Sequence, residues 1–400
     1  MTRTSSRNRL SGDCVLMVEP TGRGSHHRYT LNLCRELHDA GIHVNILSSN
    51  RNRPFATTTS LTAMKESRLF AFPLLGTIAR ILDRSARLLI NNRKLLREIR
   101  TGNYSILHLQ ILQGVFLRSL GRACRKNGTA MVVTRHNIRS HYKSKKLWND
   151  INQWCFLRNL HQIDAFIAHT PYHKRGLERD GIPAGRIRII PYGPHPESGV
   201  PRRFPREIRS VLMAGTLRPN KGVDTLLSAL AILDSRTPEE APEISVRIVG
   251  RAPDRVTARR IAAAAENLQR IHLEHTNQFL RGGTYLEFFI RSRILVLPYT
   301  RDFFSLSGIL LDGYLYDNDL LVTDSGANGE TVREEGSGIV VPPEDPPALA
   351  EALAAMLERP PDPQQSANRA RALRERFNWK KAALGTKTLY LDLVHEKVSP

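Results

Sequence analysis

Short apolar runs alternate with longer stretches of helical periodicity along almost the whole chain. Strand candidates in the first half are Val15–Val18, Val44–Leu47, Ile106–Leu109, Met131–Thr134 and Ala165–Ala168. In the second half they are Val211–Ala214, Val246–Val249, Ile294–Leu297, Leu320–Thr323 and Gly338–Val341. Helical patterns such as Tyr29–Ala40, Asp224–Leu233 and Pro347–Leu357 lie between them. Strands apolar on both faces, separated by helices, are the pattern of parallel sheets covered by helices, and it occurs twice. Prolines at 191, 194, 196, 201 and 205 exclude a long helix or central strand between the halves. The pattern predicts an α/β chain of two Rossmann-like domains, residues 1–195 and 210–383, joined by a linker at 196–209. Open parallel sheets bind ligands beyond the C-terminal ends of their strands, so two such sheets facing one another form a cleft.

Composition agrees with a packed chain and adds a clue. With 400 residues the protein exceeds the roughly 250–300 at which single cores stop growing, and 41% hydrophobic with 24% charged residues excludes a mainly disordered chain. The net charge is +21, but unevenly placed. Residues 1–200 hold 32 Lys or Arg against 12 Asp or Glu, whereas residues 201–400 hold 27 against 26. The first half therefore faces a polyanion (nucleic acid, an anionic membrane or a phosphorylated substrate) or carries a solvated basic surface. Cys14, Cys34, Cys124 and Cys155 form no C-x-x-C pair, so neither a zinc site nor a disulfide framework is indicated. No apolar run approaches the ~18–20 residues of a membrane span, and the run from Cys14 to Val18 is too short for a signal-peptide core. A cytoplasmic protein, peripheral on the cytosolic face of a membrane, is expected.

Two loops carry candidate chemistry. After the first strand, Glu19-Pro20-Thr21-Gly22-Arg23-Gly24-Ser25 runs into a helix. Gly22 and Gly24 allow close backbone approach and the helix start offers N–H groups to an anion, although a tight turn accounts for them equally well. A nicotinamide fingerprint is disfavoured because its third glycine position is His27. The string VLMAGTLRPNKGVDTLLSAL, residues 211–230, takes a strand into a loop with Arg218 and Lys221 and then a helix. Two cations at a strand's C-terminal end, beside a helix start, suit a diphosphate.

At this string the chain resembles the retaining glycosyltransferases of family 4, which have the GT-B fold of two Rossmann-like domains facing across a cleft. The strings GRGSHHRYTLNLCRELHDAGIHVNILSS, FIAHTPYHKRGLERDGIPAGRIRIIPYGPH and SLSGILLDGYLYDNDLLVTDSGANGETVREEGSGIVVPPEDPPALAEAL extend the likeness, as does Phe377-Asn378-Trp379 before a closing helix at 384–400. In this family that helix packs back toward the first domain. The resemblance implies a nucleotide-diphosphate sugar as co-substrate, retention of anomeric configuration, no metal and no further cofactor. It assigns Arg218 and Lys221 to the donor diphosphate and His136, in the string MVVTRHN, to the reacting sugar as the catalytic candidate. His108 and His169 repeat the His136 argument more weakly. Asp312 matches the second carboxylate of the family's Glu-x7-Glu motif, on the ribose hydroxyls, but the first position is Phe304, with Asp302 nearby. Ser307 and Gly308 follow a branch whose helix start binds phosphate. That branch resembles bacterial exopolysaccharide transferases and points to GDP-mannose among possible donors.

The densest basic element, residues 78–100, interleaves Arg80, Arg84, Arg87, Arg93, Lys94, Arg97 and Arg100 with Ile and Leu. It reads either as a helix lying on anionic lipid or as a domain helix with a basic outer face. Residues 139–146 are a second basic segment. The expectation is a glycosyltransferase acting on a lipid-linked glycan at an anionic membrane in polysaccharide biosynthesis. The alternative is a scaffold or regulatory subunit that keeps the fold without turnover. No zinc finger, RNA-recognition signature or aromatic-interleaved basic strip supports a nucleic-acid partner.

Overall fold

The computed structural model describes residues 14–22, 24–49, 88–111, 114–137, 146–194, 206–280 and 282–398. The chain divides into two compact units, Met1–Tyr192 with Trp379–Pro400, and Gly193–Asn378. The first holds β1 (Cys14–Glu19), β2 (His43–Ser48), β3 (Tyr104–Leu109), β4 (Ala130–Thr134), β5 (Ala165–Ala168) and β6 (Ile187–Ile189). All pair in parallel in the order β2-β1-β3-β4-β5-β6, with Val15 opposite both Val44 and Ile106. Helices α1 (Gly24–Asp39), α2 (residues 88–101), α3 (Leu117–Lys126), α4 (Lys146–Arg158) and α5 (Pro171–Arg179) connect them.

Burial explains why these runs become strands. Leu107, Met131, Val133 and Phe166 have no exposed surface and pack with Leu95 and Ile99 of α2 and Phe156 of α4. Leu88, Leu95 and Ile99 turn the apolar stripe of α2 inward, while Arg93, Arg97 and Arg100 face solvent. Over its described residues the basic element is thus a helix that packs Leu95 and Ile99 into the core and turns a charged face outward, with Leu89 and Ile90 exposed near its start. Residues 78–87, 139–145 and 195–205, including most of the expected linker and of the second basic segment, lie outside the described residues.

The second unit holds β7 (Glu207–Ala214), α6 (Val223–Arg236), β8 (Ile244–Val249), α7 (Arg255–Asn267), β9 (Ile271–Thr276) and α8 (Gly282–Arg291). It continues through β10 (Ser292–Leu297), α9 (Gly308–Leu315), β11 (Asp319–Thr323), α10 (Gly326–Glu334), β12 (Gly338–Val341), α11 (Pro346–Glu358) and α12 (Pro363–Arg376). Its parallel order is β12-β11-β10-β7-β8-β9. The chain therefore builds outward one way from β7 and then reverses at β10, which makes the β7/β10 junction a switch point where loops diverge. In the first unit the corresponding reversal lies between β1 and β3.

The chain re-enters the first unit at α13 (Trp379–Val398), which packs on α1, β3 and β4. Tyr390 of this helix is fully buried, and Lys387 Nζ donates to the Ala40 carbonyl at 2.6 Å. Two strands escape a search for continuous apolar runs. β6 is only three residues long, and β9 alternates buried Ile271 and Leu273 with exposed His272 and Glu274, as an edge strand with one wet face does.

Gly222 fixes the second switch point. Its φ is 69°, and a Cβ there would run into the carbonyl oxygen of Pro298, just beyond β10. Replacing it by alanine adds both a left-handed backbone penalty and a collision with main chain that cannot rotate away. Gly222→Ala is expected to cost at least about 2 kcal/mol in urea denaturation, and an unshifted midpoint would contradict this close approach.

Candidate active site

The loop after β7 places Arg218 and Lys221 at the two ends of a single turn, with the Lys221 amide donating to the Arg218 carbonyl at 2.9 Å. The loop after β10 supplies its floor. Lys221 Nζ lies 3.7 Å from the Tyr299 ring centroid and 4.5 Å from that of Phe303. Tyr299 is held through its backbone, whose carbonyl accepts from Thr323 Oγ1 at 2.6 Å and from Ser325 Oγ at 2.8 Å. Arg218 is exposed and Lys221 half-buried, and among the described residues neither makes an ion pair. Burial in this aromatic corner, reinforced by the Arg218 charge, holds the Lys221 ammonium well below its ordinary pKa. An anion brought to this corner would offset that penalty.

The start of α9 lies against the same loop. Ser307 Oγ sits 3.0 Å from the Tyr299 hydroxyl, and the Ser307 amide donates to Asn328 Oδ1 at 2.9 Å. Both polar groups of Ser307 are thus engaged within the protein, which moves any phosphate contact of this string toward Gly308. Asn328 Nδ2 is buried without a hydrogen-bond partner. Asp312 follows Gly308 by one helical turn, is 6% exposed, and accepts from the Tyr285 hydroxyl at 3.4 Å. Gly326, with φ 58°, lets α10 approach the Phe303 carbonyl to within 2.6 Å of where a Cβ would stand. Phe304 is half-buried and Asp302 exposed.

In the first unit the glycine loop is organised around an anion of its own. Glu19 has no exposed surface. Its carboxylate accepts from the Thr21 amide, the Gly22 amide and His27 Nδ1, each at 2.9 Å, and also from the Thr21 hydroxyl. Burial alone would push its pKa up, but the bonds from His27, Thr21 and Gly22 outweigh it and hold the carboxyl below its usual range. Gly22 (φ 62°) and Gly24 (φ 78°) make the left-handed turns this wrapping needs. The Gly22 amide therefore serves an internal carboxylate rather than standing open to a ligand.

Behind this loop the strand ends gather imidazoles. His136, beyond β4, is half-buried, with His169 Nε2 3.1 Å from its Nδ1 and Gln110 Oε1 2.9 Å from its Nε2. His26 and Tyr29 meet the His136 ring edge-on, with centroids at 4.5 and 4.6 Å. His108 is fully buried between Tyr390 and Thr134, an internal position. Burial lowers the pKa of His108 to about 3, of His169 to about 4 and of His173 to about 3, and holds His136 well below 6.5. The imidazoles pair with one another and with neutral groups; among the described residues no three His, Cys, Asp or Glu converge on a point fit for a metal ion.

Residues 26–198 match the family described as Glycosyltransferase Family 4, and residues 208–359 match that described as Glycosyl transferases group 1. The chain belongs to the family 4-like glycosyltransferases of GT-B fold. Sucrose-phosphate synthase from Thermosynechococcus elongatus shares the fold at a TM-score of 0.69 and 19% identity, covering 96% of this chain and 100% of that one. Anabaena HepE, solved with UDP and glucose, shares it at 0.63 and 13% identity, covering 95% and 100%. D-inositol 3-phosphate glycosyltransferase of Streptomyces scabiei (strain 87.22) is 25% identical over 196 residues, 48% of this chain and 43% of that relative. The match thus spans less than half of that curated relative's length.

Within this family 4-like fold, the second switch point brings together Arg218, Lys221, Ser307 and Gly308, with Asp312 one turn further along α9, and the first brings together Gly22, Gly24 and His136. Sequence reasoning missed Tyr299, Phe303, Glu19 and Gln110. Tyr299 and Phe303 read as core continuing from β10; Glu19 and Gln110 are the polar residues that end β1 and follow β3, a position that is itself a signal in a parallel sheet. No helix among the described residues is long and apolar enough to cross a membrane.

The neutral imidazoles make stability depend on pH. Each depressed histidine binds its proton in the unfolded chain at about 6.5 and in the folded one only near 3 to 4. Their contribution is therefore complete above ~pH 6.5 and is lost as the pH falls toward the folded values. Unfolding free energy measured from pH 7.5 to 5 is expected to fall by up to about 1.4 kcal/mol per pH unit for each such group, with a shallower slope in His173→Gln.

Proposed function

We propose that the protein transfers a sugar from a nucleotide-diphosphate sugar to a phosphate-bearing or lipid-linked glycan acceptor, with retention, in cell-surface polysaccharide assembly. The observation that carries this reading is the pair Arg218 and Lys221, two cations without a carboxylate partner among the described residues, set over an aromatic floor where the Rossmann order reverses. A departing nucleoside diphosphate gains negative charge as the glycosidic bond breaks, and fixed cations in a partly desolvated corner stabilise that charge more than water does. Asp312 receives the ribose hydroxyls, and Gly308 and Lys221 receive phosphate. UDP in the HepE structure fits such a donor; the sugar and base for this chain remain open between UDP- and GDP-sugars, with GDP-mannose one of them.

The acceptor reading rests on the first unit. Its half of the chain carries the charge surplus, and Arg93, Arg97 and Arg100 face outward. Helix α4 exposes Ile151, Trp154 and Leu157 at 43%, 56% and 41%, with Arg158 stacked 4.5 Å over the Trp154 ring. Aromatic and aliphatic side chains flanked by arginine suit an anionic lipid surface. A second reading is favoured by Phe304: a fold that binds donor without turning it over, having an aromatic ring where the family's first carboxylate stands.

Purified protein is to be screened by thermal shift against UDP, GDP and their sugars, then assayed for sugar transfer to extracted lipid acceptors. Lys221→Ala is expected to lower kcat/KM by about a hundredfold to a thousandfold; unchanged turnover would overturn its role. Donor binding without transfer, with transfer restored in Phe304→Glu, would establish the second reading. Trp154→Ser is expected to weaken sedimentation with anionic but not neutral vesicles, and equal sedimentation of wild type with both would remove the membrane.

A further inference from the structure

Ile190 follows β6, and its carbonyl oxygen lies 3.0 Å from His169 Nδ1. A carbonyl only accepts, so His169 carries its proton on Nδ1, and in the neutral ring Nε2 keeps a lone pair. That lone pair faces His136 Nδ1 at 3.1 Å, so His136 is the donor and its proton also sits on Nδ1. His136 Nε2 is left as an acceptor, and the atom placed 2.9 Å from it is Gln110 Oε1, a second acceptor. A half-turn of that amide exchanges its oxygen and nitrogen; it gives up the contact of Gln110 Nε2 with Met17 Sδ at 3.0 Å, a weak acceptor, and turns an N–H toward His136 Nε2. The Gln110 oxygen then meets His108 Nε2 at 3.3 Å, a nitrogen also 2.7 Å from Thr134 Oγ1, and the Tyr390 hydroxyl donates to His108 Nδ1 at 2.6 Å. One carbonyl thus sets the direction of every hydrogen bond from Tyr390 on α13 to the end of β6.

A doubly protonated His136 would accept the opposite Gln110 orientation. It would also place a cation against the rings of His26 and His169, with no carboxylate among the described residues paired to it, an arrangement that burial opposes. Tyr390 and His108 have no exposed surface and Gln110, Thr134 and His169 have 2% each, whereas His136 is half-buried. Of these side chains His136 is the one with appreciable exposure, and a ligand reaching its Nε2 has to displace Gln110.

We infer that His169, locked by the Ile190 carbonyl, is a positioning residue that holds His136 as its Nδ1–H tautomer, so that His136 meets a substrate at Nε2 as a hydrogen-bond acceptor. A sugar hydroxyl can donate to that nitrogen in place of the Gln110 N–H. A phosphate oxygen, which only accepts, is refused. The inference rests on the proposed glycosyl transfer for its consequence in turnover but not for the tautomer itself.

Two measurements test it. Imidazole nitrogen NMR of the full-length protein labelled at histidine, at pH 7.5, is expected to show His136 and His169 protonated at Nδ1 and bare at Nε2. An Nε2–H or doubly protonated His136 overturns the inference whether or not any sugar is transferred. In turnover, His169→Leu is expected to lower kcat by at least about tenfold with KM for donor changed less than threefold. His169→Gln, which offers an oxygen to His136 Nδ1, is expected to recover most of kcat. Equal kcat in His169→Leu and wild type, or equal loss in both variants, overturns the positioning role. Absence of transfer in wild type, with the tautomer as stated, removes the proposed function and leaves the tautomer standing.

Discussion

All strands of a parallel sheet end on the same edge, and that constraint organises everything chemical in this chain. Polar residues that would be ruinous inside the sheet are admitted at those ends, where the backbone leaves its ladder and loops diverge. In the second unit the ends of β7 and β10 are pressed together until only glycine fits at residue 222, and this contact sets Lys221 over Tyr299 and Phe303. In the first unit the ends of β3, β4 and β5 present Gln110, His136 and His169 to one another, while the end of β1 turns Glu19 onto its own loop. Neither group of side chains has its geometry without the strand order that gathers it.

The two units solve opposite electrostatic problems at equivalent places. The first closes its glycine loop on a carboxylate from its own strand, so the Thr21 and Gly22 amides are satisfied within the protein. In the second, among the described residues, Arg218 and Lys221 have no carboxylate partner, and Lys221 lies over two aromatic rings whose burial disfavours its charge. The contrast supports the proposal that the second unit, rather than the glycine loop of the first, is where an anion is received.

Continuous apolar runs revealed the central strands because these are buried on both faces; loop position and residue type single out Arg218 and Lys221 as candidates, whereas Asp312 is a candidate only through the family's motif. β6 and β9 were not revealed in this way, since edge strands do not need two apolar faces. The partner of the Gly22 amide was also hidden. A glycine loop before a helix looks the same whether its anion is a ligand or a glutamate at the strand end, and only the fold returns Glu19 onto its own loop. For α2 the interleaved Arg and Leu pattern was real, but periodicity cannot say whether the apolar stripe meets lipid or a sheet; Leu95 and Ile99 join the core with the sheet, while Leu89 and Ile90 are exposed.

The surplus charge of the first half acquires a different meaning once the imidazoles are seen to be neutral. Five histidines lie together at the strand ends, yet burial keeps four of them uncharged well below neutral pH. Among the described residues, basic side chains of this half lie elsewhere, on outward faces such as Arg93, Arg97 and Arg100 of α2 and Arg118, Arg122 and Arg125 of α3. Long-range attraction and local chemistry are therefore separated within one unit. On the proposed function, exposed arginines would attract an anionic surface or acceptor through a field that salt screens within ~10 Å, while the uncharged imidazoles around His136 would select by the direction of a hydrogen bond, a task that a charged cluster binding phosphate at the same point would confuse.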